Sequence, residues 1–117
     1  MLAKKFRLQT SEVKNVLSTG STHRSRLFIV RAQKAPQSAN HQFATVISKK
    51  MSKKAVVRNL LRRQIYDILR LNKNLLEKSD KLQIILIPKK NCLTQTYKEL
   101  ETDIIFILQN IEKWLNI

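Results

Sequence analysis

The segment Lys53–Leu71 constrains the fold more than any other part of this sequence. At the 3.6-residue period of an α-helix, its residues separate into two arcs. One arc is apolar and contains Val57, Leu60, Leu61, Ile65, Ile68 and Leu71. The opposite arc is polar and contains Arg58, Asn59, Arg62, Arg63, Tyr66 and Arg70. The pattern predicts a long helix that starts near Ser52 or Lys53 and lays its apolar arc on a core.

The charges on the polar arc have almost a single sign, since Asp67 is the only acid in the segment. Ordinary solvated helix faces mix Glu with Lys or Arg four residues apart, which stabilises the helix slightly. Here Arg58 stands four residues before Arg62 with no carboxylate between them. Arginine presents a planar fork of donors that can engage phosphate bidentately. We therefore interpret this arc as a contact surface for RNA or DNA.

Composition supports an anionic partner. The 117 residues suit one domain, and 23 Lys+Arg against 8 Asp+Glu give a formal charge of +15. A polyanion offsets the self-repulsion of so many like charges. A membrane surface is the weaker alternative, because the longest apolar runs, Leu27–Val30 and Ile84–Ile87, are far below the ~20 residues that span a bilayer. The single Cys92 cannot form an internal disulfide, which favours the reducing cytoplasm. Cys92 is interpreted as an ordinary packing or loop residue rather than a nucleophile.

The N-terminal half of the chain predicts one helix and two or three strands. Residues 1–9 form a basic arm, and Thr10 or Ser11 caps a helix to about Ser18 that Gly20 ends. Further along stand a short strand near His23, a strand over Arg26–Ala32, a loop over Gln33–Gln42 and a buried central strand over Phe43–Ile47.

The C-terminal part predicts a strand and a helix. Leu82–Ile87 reads as a strand covered on both faces, ended by Pro88. Thr96 and Glu99 match a capping box that opens a terminal helix. Its helically spaced apolar residues are Leu100, Ile104, Ile107, Leu108, Ile111 and Leu115, and Trp114 is expected to close the core. The whole chain is therefore predicted as one α+β domain with the element order αβββαβα.

Catalysis by the chain itself is disfavoured. His23 and His41 could in principle act as acid and base on a ribose 2′-hydroxyl, but nothing in their spacing orients them, and both are interpreted as surface residues. No metal-ligand motif is present, so no catalytic or metal-binding residue and no cofactor bound by the protein alone is predicted. A ribosomal or other structural RNA-binding protein remains the alternative.

Four lysines precede the helix at the predicted strand-to-helix turn: Lys49, Lys50, Lys53 and Lys54. Ile47-Ser48-Lys49-Lys50 and the following stretch from Lys54 to Arg63 (KAVVRNLLRR) resemble the signature region of the bacterial ribonuclease P protein subunit. Thr96-Tyr97-Lys98-Glu99 is similar to the family's segment before its last helix. Leu60 stands where the family pattern has its second arginine, and Met51-Ser52 stand where glycine is common.

This resemblance implies a sheet-and-helix fold like the second domain of ribosomal protein S5, with a left-handed βαβ crossover. It implies a protein subunit that helps a catalytic RNA, with Mg²⁺ in that RNA, to remove the 5′ leader of precursor tRNA. Arg58, Asn59, Arg62 and Arg63 would contact the catalytic RNA, with the four lysines at its edge. Val13, Leu17, Phe28 and Arg31 would line a leader-binding cleft. Val13, Leu17 and Arg31 stand at positions where the family has aromatic residues.

Overall fold

In the residues that the computed structural model describes, 2–76 and 80–116, three α-helices and four strands follow one another as predicted. The helices are α1 (Thr10–Thr19), α2 (Ala55–Asn72) and α3 (Tyr97–Trp114). The strands are β1 (Ser21–Arg24), β2 (Phe28–Lys34), β3 (Gln42–Thr45) and β4 (Leu82–Pro88). Short 3₁₀ turns occur at Lys4–Phe6, Lys73–Leu76 and Lys90–Thr94. The α+β class and the element order αβββαβα are confirmed.

The strands form one mixed sheet in the order β1-β2-β4-β3. β2 lies antiparallel to β1 and β4, whereas β3 lies parallel to β4. β4 is thus an interior strand, and it is buried at five of its seven positions, as predicted for a covered strand. The hand of the crossover from β3 through α2 to β4 stays a prediction.

The prediction that β3 is central is wrong, because β3 lies at the edge beside β4. Its burial has another cause. The N-terminal arm runs along the open side of β3, where Arg7 forms a parallel bridge to Phe43 and the Leu8 N–H donates to the Phe43 carbonyl over 2.9 Å. The arm thereby covers an edge that would otherwise offer unpaired backbone groups.

Two apolar clusters lie on opposite faces of the sheet. The larger cluster packs α2 and α3 against one face and includes Phe28, Val30 and Ala32 of β2. The smaller cluster lies under α1 and contains Leu8, Val16, Ala44 and Ile85. Because side chains alternate along a strand, β2 turns its other residues toward α1. This division fixes which residues can line a surface on each side.

The N-terminus of α1 differs from the prediction, whereas its C-terminus agrees with it. Gln9, not Thr10 or Ser11, is the N-cap residue, and its N–H donates to the Glu12 carboxylate over 2.9 Å. Gly20 ends the helix as predicted, with its N–H 2.8 Å from the Val16 carbonyl oxygen. Its backbone is extended, but an added Cβ would stand 2.7 Å from the Val16 carbonyl oxygen, so this close approach requires glycine.

The N-terminus of α3 confirms one half of the predicted capping box. The Thr96 hydroxyl accepts the Glu99 N–H at 3.2 Å. The Glu99 carboxylate accepts from the Thr96 hydroxyl at 3.1 Å rather than from its backbone N–H. The predicted apolar stripe of this helix is buried from Leu100 to Ile111, and Trp114 packs against the larger cluster, as expected.

Helix α2 buries a narrower strip than the helical wheel predicts. Leu61, Ile65, Ile68 and Leu69 are its buried residues. The assignment of Leu60 and Leu71 to the core is wrong, since they are 53% and 52% exposed. Tyr66, assigned to the polar arc, instead packs against the larger cluster, and its hydroxyl accepts the Thr45 N–H at 3.4 Å. The helix is therefore rotated about its axis relative to the prediction, toward Leu69 and Tyr66.

The two histidines have structural surroundings. His41 is buried, which corrects its assignment to the surface, and its Nδ1 accepts the Leu82 N–H at 3.1 Å. Its Nε2 lies 2.8 Å from the Leu76 carbonyl oxygen and therefore donates in the neutral ring. His23 is half-buried and stacks on Trp114 with 5.4 Å between ring centroids. Cys92 is a buried packing residue, as predicted, and burial raises the pKa of its thiol to about 11.

His41 makes the free energy of unfolding dependent on pH. Burial lowers the pKa of His41 from its ordinary value of 6.5, so the unfolded chain takes up the proton first. The stabilisation is complete above that value and is lost as the pH falls below it toward the folded-state pKa. Urea unfolding at pH 7.5 and 5.5 should show lower stability at pH 5.5, and His41→Gln should show a smaller loss. If the fall in the free energy of unfolding between the two pH values is instead equal in wild type and His41→Gln and smaller in His23→Gln, that result would assign the pH dependence to His23.

Candidate nucleic-acid interface

The outer side of α2 carries the predicted arginines, and the structure separates them by environment. Arg63 and Asn59 are exposed, and Arg62 donates to the Asn59 side-chain oxygen over 2.8 Å. Arg58 is half-buried and donates to the Ser52 carbonyl over 2.7 Å, which ties it to the turn before the helix. Arg62 is also half-buried, but its guanidinium bonds a side chain of the same face rather than the preceding turn. Asn59, Arg62 and Arg63 are called here the α2 basic face, and Arg58 lies at its margin.

Carboxylates do not neutralise this face. Within the described ranges, the one ion pair joins Arg70 to Asp67 over 2.9 Å. The Asp67 carboxylate also accepts the Tyr97 hydroxyl at 2.8 Å. The hydrogen bond from Arg70, and after it the one from Tyr97, lowers the pKa of Asp67, which stays ionised. Arg70 is thus compensated, whereas Arg62 and Arg63 keep their charge for an external anion.

The start of α2 is the second feature that favours an anion. Helices α1 and α3 have Glu12 and Glu99 in their first turns, but α2 has no acid there and no side-chain cap. Its first N–H groups and the positive end of its dipole therefore lack a negative partner on its own first turn. The four predicted lysines, Lys49, Lys50, Lys53 and Lys54, are all exposed beside it. Basic residues at this end are unfavourable for the free helix, and a bound phosphate would reverse that effect.

A second surface lies between α1 and the sheet, where the leader cleft was predicted. Val13 packs against the smaller cluster, and Leu17 is 37% exposed. Phe28 is wrongly assigned, because it is fully buried in the cluster on the opposite face. Its neighbour Ile29 faces the α1 side and is half-buried, and its cross-strand partner Ile87 packs against the smaller cluster. Side chains alternate strictly between the two faces of the sheet along β2. This sequence signal would have placed Ile29, rather than Phe28, on the α1 side.

Arg31 lies on this second surface but is engaged with the protein. Its guanidinium donates to the Thr22 hydroxyl and to the Leu17 carbonyl, the latter over 2.5 Å. The contact places a positive charge at the C-terminal end of α1, where the helix dipole is negative. Arg31 therefore holds α1 to the sheet, on the side where the leader cleft was predicted. Its role toward a leader remains a prediction.

No helix among the described residues is both long and apolar enough to cross a membrane.

The family model for ribonuclease P matches residues 2–112 of this sequence. The chain belongs to the ribonuclease P protein family. The resemblance that was drawn from the signature segment is thereby confirmed.

Individual relatives agree with the family assignment. A ribonuclease P protein component from Finegoldia magna is 31% identical over 105 residues, which are 89% of this chain and 88% of that protein. A mutant of the Staphylococcus aureus RNase P protein with defective mRNA degradation activity matches with a TM-score of 0.81 at 19% identity, over 93% of this chain and 90% of that one. The RNase P protein from Thermotoga maritima matches with a TM-score of 0.77 at 21% identity, over 89% and 96%. The two solved structures support the fold.

Membership fixes the general function of this ribonuclease P protein. It is the protein subunit of an endoribonuclease that acts in tRNA processing, as predicted, and the ribosomal alternative is not favoured. A self-sufficient nuclease that uses both histidines finds no support, because the ring nitrogens of His41 are bound to the backbone. The residues that contact RNA are the remaining question.

Proposed function

We propose that the α2 basic face, with the lysines before α2, binds the catalytic RNA of ribonuclease P. The observation that carries this proposal is that Arg62 and Arg63 project from α2 with no carboxylate partner in the described chain. RNA backbones supply the missing negative charge, and release of condensed counterions supplies affinity. The proposed partners are cytoplasmic RNAs, so the same proposal assigns the chain to the cytoplasm.

The proposed mechanism divides the work between RNA and protein. Hydrolysis of the phosphodiester belongs to the RNA with its Mg²⁺. Arg62 and Arg63 bind phosphates as bidentate donors, while the lysines act as point charges at the uncapped end of α2. Their positive charge lowers the repulsion between RNA segments, so less free Mg²⁺ is needed to hold the folded RNA together.

We further propose that the 5′ leader of precursor tRNA lies in the cleft between α1 and the sheet. The partly exposed aliphatic side chains Val13, Leu17 and Ile29 would form its walls, and Arg31, which donates to the Leu17 carbonyl, would lie beside them. Aliphatic side chains pack against sugars and bases without the stacking that aromatic rings provide. The leader should therefore be held with little preference for particular bases.

Reconstitution tests the proposed role. Adding this chain to its cognate catalytic RNA at low Mg²⁺ should restore cleavage of precursor tRNA at the 5′ end of the mature sequence. The same RNA at high Mg²⁺ without protein is the control that shows the RNA to be competent. No stimulation by the protein at low Mg²⁺ would contradict the proposal, and cleavage by the protein alone would show that the chain is itself a nuclease.

A further inference from the structure

A groove of about 410 Å³ lies between α2 and the start of α3. Its lining residues are Leu60, Arg63, Gln64 and Asp67 of α2 and Tyr97 of α3. The volume is within the range of ~300–1,000 Å³ that small-molecule sites occupy. The groove adjoins the α2 basic face, because Arg63 belongs to both.

The apolar part of the groove comes from two side chains on different helices. Leu60 is 53% exposed although the helical wheel assigns it to the core. Tyr97 is half-buried at the first position of α3, and its ring lines the same groove. An exposed leucine beside an aromatic ring, next to unpaired arginine charge, is suited to the flat faces of a nucleobase.

The polar part of the groove has a defined charge arrangement. Asp67 is ionised and is paired with Arg70, so these two side chains together contribute no net charge. The net charge of the groove therefore comes from Arg63 and is positive. Each Asp67 oxygen has one donor, from Arg70 or Tyr97, and keeps a further lone pair for a base N–H group.

We propose that this groove binds one unpaired nucleotide of the partner RNA. The base lies between Leu60 and Tyr97, its donor edge meets the Asp67 carboxylate, and its phosphate meets Arg63. Guanine fits best, because its ring N–H and its amino group present two neighbouring donors to a carboxylate. The inference rests on the proposed contact between α2 and RNA, and it adds a base-reading site to a surface otherwise built for phosphate.

Titration of the isotope-labelled, full-length chain with mononucleotides tests the site by NMR. Guanosine 5′-monophosphate should shift the backbone amide signals of Leu60, Gln64 and Tyr97, with at least threefold tighter binding than uridine 5′-monophosphate. Ribose 5-phosphate is the probe for a phosphate contact alone, and it should leave the Tyr97 signal nearly unchanged.

Leu60→Ala removes one wall and should weaken binding of guanosine 5′-monophosphate at least fivefold. Leu71→Ala is the matched control, because Leu71 lies on the same helix with nearly the same exposure, 52%, outside the groove. Tyr97→Phe keeps the wall and should retain most of the binding. Equal shifts with ribose 5-phosphate, equal binding in Leu60→Ala, or no shift at Leu60 and Tyr97 would each overturn the proposal. None of these results depends on cleavage activity, so the site can fail while the reconstitution succeeds.

Discussion

Replacing Arg62 and Arg63 together by alanine should weaken binding of the catalytic RNA and flatten its dependence on salt. Each lost phosphate contact lowers the slope of log K against log salt by about 0.7–0.9. Two contacts therefore predict a slope that is smaller by about 1.4–1.8, and the loss of affinity should be largest at low salt. Filter binding or fluorescence anisotropy at several salt concentrations measures both quantities.

The control for this variant removes the same charge elsewhere. Lys90→Ala plus Lys113→Ala takes two exposed positive charges from the turn before α3 and from its end. That variant should lose less affinity and keep most of the slope. Circular dichroism should show an unchanged fold for both double variants, because all four side chains project from the surface or its margin. An unchanged slope in the arginine variant would remove the α2 basic face from the interface.

Phe28→Ala should destabilise the domain by about 3–5 kcal/mol, the range for truncating a buried aromatic residue. Phe28 is fully buried in the larger cluster, and its removal leaves a cavity between the sheet and the helices that cover it. Urea denaturation measures the change. Ile29→Ala, one position along β2 and on the α1 side, should cost less, because Ile29 is only half-buried.

Variants at Phe28 and Ile29, together with Leu17→Ala, locate the surface that binds the leader. Ile29→Ala should lower affinity for the precursor leader while leaving the fold intact, as should Leu17→Ala. Phe28→Leu, which keeps most of the buried volume, should leave leader affinity unchanged. A stable Phe28→Ala protein with weakened leader binding would restore the original assignment of Phe28 to the cleft.

The sequence predicts elements well here, because their signals are local. Each pattern is contained in one short segment of the sequence. The patterns are the aliphatic run of β4, the apolar spacing of α3 and the two arcs of α2. The basic character of α2 is equally local, since it depends only on which residues the helix carries. These features could be read before any partner element was known.

The errors concern faces and edges, which depend on distant residues. The helical wheel gives the angular position of Leu60 around the axis of α2. It does not show which sector of that helix the sheet and α3 cover. β3 is buried at an edge because the arm at Arg7 and Leu8 runs beside it. His41 is buried because backbone groups 35 and 41 residues away bind its ring. Such contacts follow from the assembled topology and have no local pattern.

The unequal size of the two apolar clusters has a consequence for motion. Helix α1 contributes one buried residue, Val16, to the smaller cluster, whereas α3 anchors itself with six buried residues. Releasing α1 exposes little of the larger cluster, so its free energy of opening lies below that of global unfolding. Amide hydrogens in α1 should therefore exchange with solvent faster than those in α2 or α3. Helix α1, which forms one wall of the proposed leader cleft, would then detach from the sheet by sub-global opening. Helix α2, which carries the basic face, would stay packed.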